Sequence, residues 1–220
     1  MNIQRRSFLQ FSAAAAAAPL LGACDTDAPV ITIDKRFPVG PYGPKSTAEE
    51  VTRGMDLSGQ VALVTGCNSG IGYETMRVLA LRGAHVVGTG RTLAKATAAC
   101  ASVEGKTTPL ALELSDFQSA VDCAAAVREL GLPLDMLICN AGINTLGELE
   151  LVGGIERHFV INFLGHFVLV MQLLPAMLEQ NKGRIVHVGS QSGYKRAPAA
   201  GIDFDNLRGE KEFDEIEAYG

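Results

Sequence analysis

From Leu57 onward, short apolar runs alternate with amphipathic stretches. VALVTG at 61–66 is a compact apolar run closed by glycine, the pattern of a buried strand. Residues 71–82, IGYETMRVLALR, place apolar side chains at helical spacing. AHVVGTG (84–90) predicts a second strand, and the alanine-rich segment near 93–102 predicts a helix. TPLALEL (108–114) predicts a third strand, and Ser115-Asp116 predict the cap of a helix over 117–130. LDMLICNAG (134–142) predicts a fourth strand, a long helix comes next over about 155–180, and GRIVHVGS (183–190) predicts a fifth strand. Strands alternating with helices through short connections require a parallel sheet with right-handed crossovers. The strands are apolar on both faces, as parallel strands covered by helices must be. The expected fold class is α/β, a doubly wound parallel sheet. Its ligand crevice should lie at the carboxyl ends of the strands, where the strand order reverses.

The long helix adds a constraint. HFVINFLGHFVLVMQLLPAML (158–178) is apolar nearly all round. Such a helix needs cover on two sides. One side can pack on the sheet, and the other needs a helix of this chain or of a partner subunit. A homo-oligomer is therefore expected when the protein is full length.

Ahead of the alternating pattern, residues 25–56 are rich in Pro, Gly and charge, which is linker composition. Ser46 followed by Glu49 predicts a capping box and a short helix through AEEVTRG. Residues 57–220 form the expected nucleotide-binding domain. Residues 1–24, MNIQRRSFLQFSAAAAAAPLLGAC, have a basic pair, a mild alanine-rich run and small residues at the end. This is an export-signal pattern, too short and too mild for a spanning helix. RRSFLQ resembles the twin-arginine signal of proteins that fold before transport. LGAC at 21–24 resembles a lipoprotein box, which implies a lipid on Cys24, and Asp25 then implies retention at the inner membrane. The chain is expected to be exported, periplasmic or anchored at the inner membrane. It would be cytoplasmic if its N-terminus were misassigned.

Composition narrows the partners. The net charge is −5 with no basic block, which argues against nucleic acid. Membrane contact is expected only through Cys24. No C-x-x-C pair occurs among the five cysteines, and no histidine clusters with them, so no metal site is expected.

The chemistry-bearing residues gather at strand ends. The first strand runs into Thr65-Gly66-Cys67-Asn68-Ser69-Gly70-Ile71-Gly72. Gly66 permits the tight turn, Gly70 lets backbone approach a pyrophosphate, and Gly72 allows close helix–strand packing. The helix that starts there attracts phosphate charge. The motif follows a strand, opens a helix and precedes another strand, which is the context it requires.

TGCNSGIG resembles the TGxxxGIG motif of short-chain dehydrogenases/reductases, which have a Rossmann fold. Cys139-Asn140-Ala141-Gly142 resembles their NNAG motif, with Cys139 in place of the first Asn. Asn162 in VINFLGHF matches the family's active-site asparagine, and Ser190 in RIVHVGS its catalytic serine. INFLGHF and DFDNLRGEKEFDEIEAYG resemble the retinol-dehydrogenase-like branch. The resemblance spans roughly residues 45–220. It implies cofactor contacts from Gly66, Asn68, Ser69, Gly70, Ile71, Gly72, Asn140, Ala141 and Gly142, with Glu113 near the adenine.

The family's Tyr-x-x-x-Lys has no copy here. Tyr42, Tyr73 and Tyr194 are followed four residues later by Ser46, Arg77 and Pro198. Tyr219-Gly220 falls where the branch has Tyr-Gly-x-x-Lys. The expectation is truncation, with Tyr219 the catalytic tyrosine and the lysine, the last strands and the substrate loop not included. A phenol of pKa about 10 is roughly one part in a thousand ionised at pH 7, and lowering that pKa to about 7 takes roughly 4 kcal/mol. The family's lysine provides much of that shift, so the 220 residues alone are expected to be inactive and prone to aggregate.

Cofactor choice is read after the second strand. NAD-specific members place an acid there. Here Gly90 is followed by Arg91, which favours NADP over NAD. The implied activity is hydride transfer between NADP(H) and an alcohol, aldehyde or ketone. Tyr219 would be acid/base, Ser190 would steady the substrate oxygen and Asn162 would support the proton path. A non-catalytic NADP(H)-binding protein is the alternative. A sugar-nucleotide epimerase is the second alternative, disfavoured by its TGxxGxxG spacing. His158, His166 and His187 are expected to pack or to support other groups.

Overall fold

The computed structural model describes residues 40–145, 147–198 and 201–220. The chain divides into two units, Met1–Gly43 and Pro44–Gly220. Of the first, Gly40–Gly43 are described and form neither helix nor strand. The export segment read at 1–24 lies outside the described residues.

The second unit opens with a short helix α1 (Ala48–Val51). Its capping box is Thr47 with Glu50, one residue along from the expected Ser46 and Glu49. Glu49 instead faces Arg77, 2.7 Å away. Arg82 donates to the Glu49 carbonyl and to Thr52. These contacts dock α1 on α2 (Gly70–Leu81), so residues 44–56 belong to the same compact unit as the sheet.

The elements then run as β1 (Val61–Val64), α2, β2 (His85–Gly90), α3 (Leu93–Ala101), β3 (Thr107–Ala111), α4 (Phe117–Glu129) and β4 (Met136–Cys139). A two-stranded hairpin, β5 (Leu151–Val152) and β6 (Ile155–Glu156), comes next. A π-helical turn, Phe159–Leu164, leads into α5 (Gly165–Glu179), followed by β7 (Arg184–His187), α6 (Ser192–Lys195) and α7 (Glu215–Tyr219). The long helix expected from 155 thus begins later. Gly153 and Gly154 both take positive φ, +59° and +81°, which suits a tight two-residue hairpin turn.

The five long strands form one parallel sheet in the order β3-β2-β1-β4-β7. The expected doubly wound Rossmann-like architecture is borne out. Alternate residues of β1 serve opposite faces. Val61 and Leu63 join a core with α4 and α5, while Ala62 and Val64 join one with α2 and α3. All four are buried, which explains the run VALV. After β3 the chain returns to the other side of β1, so the order reverses between β1 and β4. That is the switch point where a ligand crevice forms.

Two features depart from full coverage. Val186 and Val188, in and after β7, are each almost half exposed. The helix from Phe159 to Glu179 is long and apolar enough to cross a membrane by length and composition. Its Leu169, Leu173 and Met177 are buried in the core. Phe163, Phe167, Met171 and Leu178 remain exposed on it.

Candidate active site

β1 delivers Thr65 and Gly66 to the carboxyl edge of the sheet. Gly66 has φ +72°, and a Cβ there would lie 2.9 Å from the Ala141 Cβ. A Cβ on Gly72 would lie 2.3 Å from the Gly66 carbonyl oxygen and 2.4 Å from Asn140 Nδ2. These two glycines are packing requirements. Gly70 differs: its φ is +59°, and a Cβ there would meet nothing within 4 Å. Asn68, Ser69, Gly70 and Ile71 are exposed around it.

The start of α2 is chemically open. Thr92, Asp116 and Asp214 cap the starts of α3, α4 and α7 with their side chains. Ser69, at the N-cap of α2, makes no such bond. The first amides of a helix need a partner, and the helix end attracts negative charge. An open glycine cradle at an uncapped helix start fits the pyrophosphate of a dinucleotide.

The neighbouring strand ends supply the rest of the crevice. Arg91 follows β2 and is 65% exposed, with its Nε 3.6 Å from Glu113. Exposure leaves the guanidinium available to a second anion. Glu113 also accepts from the Ser115 amide and hydroxyl at 3.1 and 2.7 Å. On the other side, the Asn140 and Ala141 amides both donate to Thr65 Oγ1 at 2.9 Å. Asn140 Nδ2 donates to the Thr65 carbonyl at 2.9 Å. The segment 140–142 is therefore tied to the glycine turn.

Asn162 lies in the π-helical turn. Its Oδ1 accepts from the Ile143 amide at 2.8 Å and its Nδ2 donates to the Ile143 carbonyl at 2.9 Å. Ser190 is exposed, and its Oγ accepts from the Ser192 amide at 3.2 Å. Tyr219 meets His158 edge to face, with ring centroids 5.6 Å apart. Gly220 packs against Ala197, just after α6. The Tyr219 segment thus reaches the helix that follows Ser190. Asn162, Ser190 and Tyr219 stand on adjoining elements, and no hydrogen bond joins them among the described residues.

Two buried histidine clusters have partners that the sequence did not reveal. Thr65 and His166, 101 residues apart, are 2.9 Å from each other and buried. His158 Nδ1 is 2.7 Å from Glu156, and both are buried. The Thr145 amide donates to His158 Nε2 at 3.2 Å. His187 is exposed. Burial lowers the basicity of His166 below its ordinary range. It also pushes the thiols of Cys67 and Cys139 up to about 12, so neither is a nucleophile. Among the described residues, no group of three or more His, Cys, Asp or Glu could hold a metal ion.

Comparison with known proteins agrees with this geometry. The family profile described as short chain dehydrogenase matches residues 60–202. A twin-arginine translocation pathway signal sequence matches residues 2–22. A WW domain-containing oxidoreductase of Gallus gallus is 36% identical over 156 residues, covering 69% of this chain and 38% of that protein. Short-chain dehydrogenase TIC 32 A, chloroplastic, of Brassica napus is 34% identical over 189 residues, covering 81% of this chain and 59% of that protein. The chain thus spans between 38% and 59% of the length of these two relatives. A solved metagenomic short-chain oxidoreductase in complex with NADP superposes with a TM-score of 0.58 at 29% identity, covering 69% of this chain and 72% of that one. With a parallel sheet in this order, a glycine turn at its switch point and a family profile over residues 60–202, the chain belongs to the short-chain dehydrogenase/reductase family.

Proposed function

We propose that the protein is an NADP(H)-dependent oxidoreductase acting on an alcohol/carbonyl pair. The observation that carries this reading is the open cradle at Gly70 beside the exposed Arg91. The α2 amides would hold the pyrophosphate, Arg91 the 2′-phosphate, Glu113 the adenine side, and Asn140–Gly142 the floor under the ribose. When bound, the nicotinamide donates or accepts a hydride. Ser190 would hold the substrate oxygen. Tyr219 would exchange a proton with that oxygen, and Asn162 would keep the Ile143 segment in register beside it.

A second reading is favoured by the geometry: among the described residues no hydrogen bond joins Asn162, Ser190 and Tyr219. On that reading the chain binds NADP(H) without turnover. NADPH titration combined with NADPH oxidation over a panel of aldehydes and ketones separates the two. Binding with turnover supports the enzyme, and binding alone supports the second reading. Absence of NADPH binding sinks both.

Localisation and assembly extend the proposal. The Arg5-Arg6 segment would direct export, and Cys24 would carry a lipid at the inner membrane. Replacing both arginines by lysine should trap the protein in the cytoplasm, and Cys24→Ser should release a soluble form. The exposed stripe of Phe163, Phe167 and Met171 would be covered by a second copy. Sedimentation showing only monomer at micromolar concentration would contradict the dimer.

A further inference from the structure

We propose that His166 is a positioning residue that closes a hydrogen-bonded ring around the floor of the dinucleotide crevice, through Thr65 on one side and Asn162 on the other. The proposal rests on the reading of residues 140–142 as cofactor-binding.

Donor and acceptor bookkeeping fixes the ring. Thr65 Oγ1 lies 2.9 Å from the Asn140 amide, the Ala141 amide and His166 Nε2. The two amides can only donate, so they occupy both lone pairs of the hydroxyl. Its one proton is left for His166 Nε2, which must therefore be bare. At the other end, His166 Nδ1 is 3.2 Å from the Asn162 carbonyl. A carbonyl only accepts, so Nδ1 carries the proton. Both ends demand the same neutral tautomer. The imidazolium would set a second donor against a hydroxyl whose lone pairs are full.

The ring returns to its start through the loop. Asn162 clasps the backbone of Ile143 from both sides of its amide. Ile143 follows Gly142, and Ala141 is bound to Thr65. The chain of bonds runs Thr65, His166, Asn162, Ile143 and back through Gly142 and Ala141 to Thr65. Thr65 and His166 are buried, so the bond between them faces little competition from solvent, while the other bonds of the ring are half-buried. Removing the imidazole leaves the Thr65 hydroxyl proton without its acceptor and releases the Asn162 carbonyl. Thr65 can then turn away from the two amides that it holds.

The test uses the full chain with NADPH as probe. In ¹⁵N-histidine spectra at pH 7.5, His166 should be neutral with its proton on Nδ1. A proton on Nε2, or an imidazolium, overturns the proposal. In H166F, amide exchange at Asn140 and Ala141 should quicken by about fivefold to tenfold, the worth of one hydrogen bond, while Val86 and Val87 stay unchanged. The NADPH Kd should rise by a similar factor. H166Q, which can still accept from Thr65, should restore most of the protection. T65V added to H166F should change the Kd by less than about twofold more, because both act through one path. Unchanged exchange at 140–141, or fully additive effects, overturns the proposal. If H166F does not fold, the tautomer and the exchange rates of T65V and H166Q decide. If the unmodified chain binds no NADPH, the cofactor reading fails, while tautomer and exchange still judge His166.

Discussion

Asn162 holds Ile143 with both ends of its side-chain amide, accepting from the Ile143 N–H at 2.8 Å and donating to the Ile143 carbonyl at 2.9 Å. An amide side chain is used here as a piece of sheet. It clasps backbone four residues beyond the end of β4, and it does so from a π-helical turn on a different element. The residue is thus a structural clasp before it is anything else. Its backbone carbonyl lies 3.2 Å from His166 Nδ1.

Asn162→Ala should lower stability by about 1–3 kcal/mol, since two hydrogen bonds of about 1 kcal/mol each are lost from half-buried backbone groups. Asn162→Asp should also destabilise, because a carboxylate oxygen would face the Ile143 carbonyl. Urea denaturation of both variants checks this. An Asn162→Asp variant as stable as the parent would contradict the clasp.

The glycines of the turn should separate by role. Gly72→Ala should cost about 3 kcal/mol or more, because its Cβ would press on a backbone oxygen that cannot yield. Gly70→Ala should cost only about 1 kcal/mol for the left-handed backbone, yet weaken NADPH binding, because the cradle is filled. Thermal melts and NADPH titrations of the two variants should rank them in opposite orders.

Arg91→Asp should weaken NADPH binding relative to NADH by about 1–3 kcal/mol, the usual range for a hydrogen bond to a charged group. Glu113→Gln should act the other way. It removes the partner 3.6 Å from Arg91, but the pair is too exposed for the gain to exceed about 1 kcal/mol. Titrating both dinucleotides against both variants is the check. An unchanged ratio in Arg91→Asp would make Arg91 a bystander.

His166 should leave a mark on acid stability. Burial, the larger cause, holds its basicity below the ordinary value, against the Asn162 carbonyl, which favours the charged form. The unfolded chain therefore takes up a proton at about pH 6.5 while the folded chain does not. The stability from the neutral ring is present above that pH. It falls as the pH drops toward the folded value, below which the loss stops. Urea midpoints from pH 7.5 to 4.5 should fall less steeply in His166→Gln than in the parent. Parallel slopes would contradict this. His85 contributes in the same sense, also mainly through burial, and is common to both proteins.

The strands and helices were legible because their signals are local. VALV is buried on both faces, and the glycine turn sits between a strand and a helix as its spacing requires. All five strands of the sheet except β2, which reaches Gly90 as expected, end two or three residues earlier than their apolar runs. Beyond the strand ends, the Thr65 hydroxyl accepts from the Asn140 and Ala141 amides, which no apolar pattern signals. The hairpin at 151–156 escaped notice because each of its strands has only two residues, and Ile155-Glu156 also fits the helical spacing of residues 158–178. The capping box moved from Ser46–Glu49 to Thr47–Glu50 because the two registers have the same residue types and spacing. The contact of Thr65 with His166 spans 101 residues and has no local signature at all.

On the proposed reading, NADP(H) would be held at the Ser69–Gly72 helix start with Arg91 on its 2′-phosphate. The most direct test is calorimetric titration of the 220-residue chain with NADPH and NADH in parallel. One saturable site per chain is expected, with NADPH tighter by about tenfold or more, equal to about 1.4 kcal/mol. Absence of saturable binding, or NADH binding as tightly as NADPH, would contradict it.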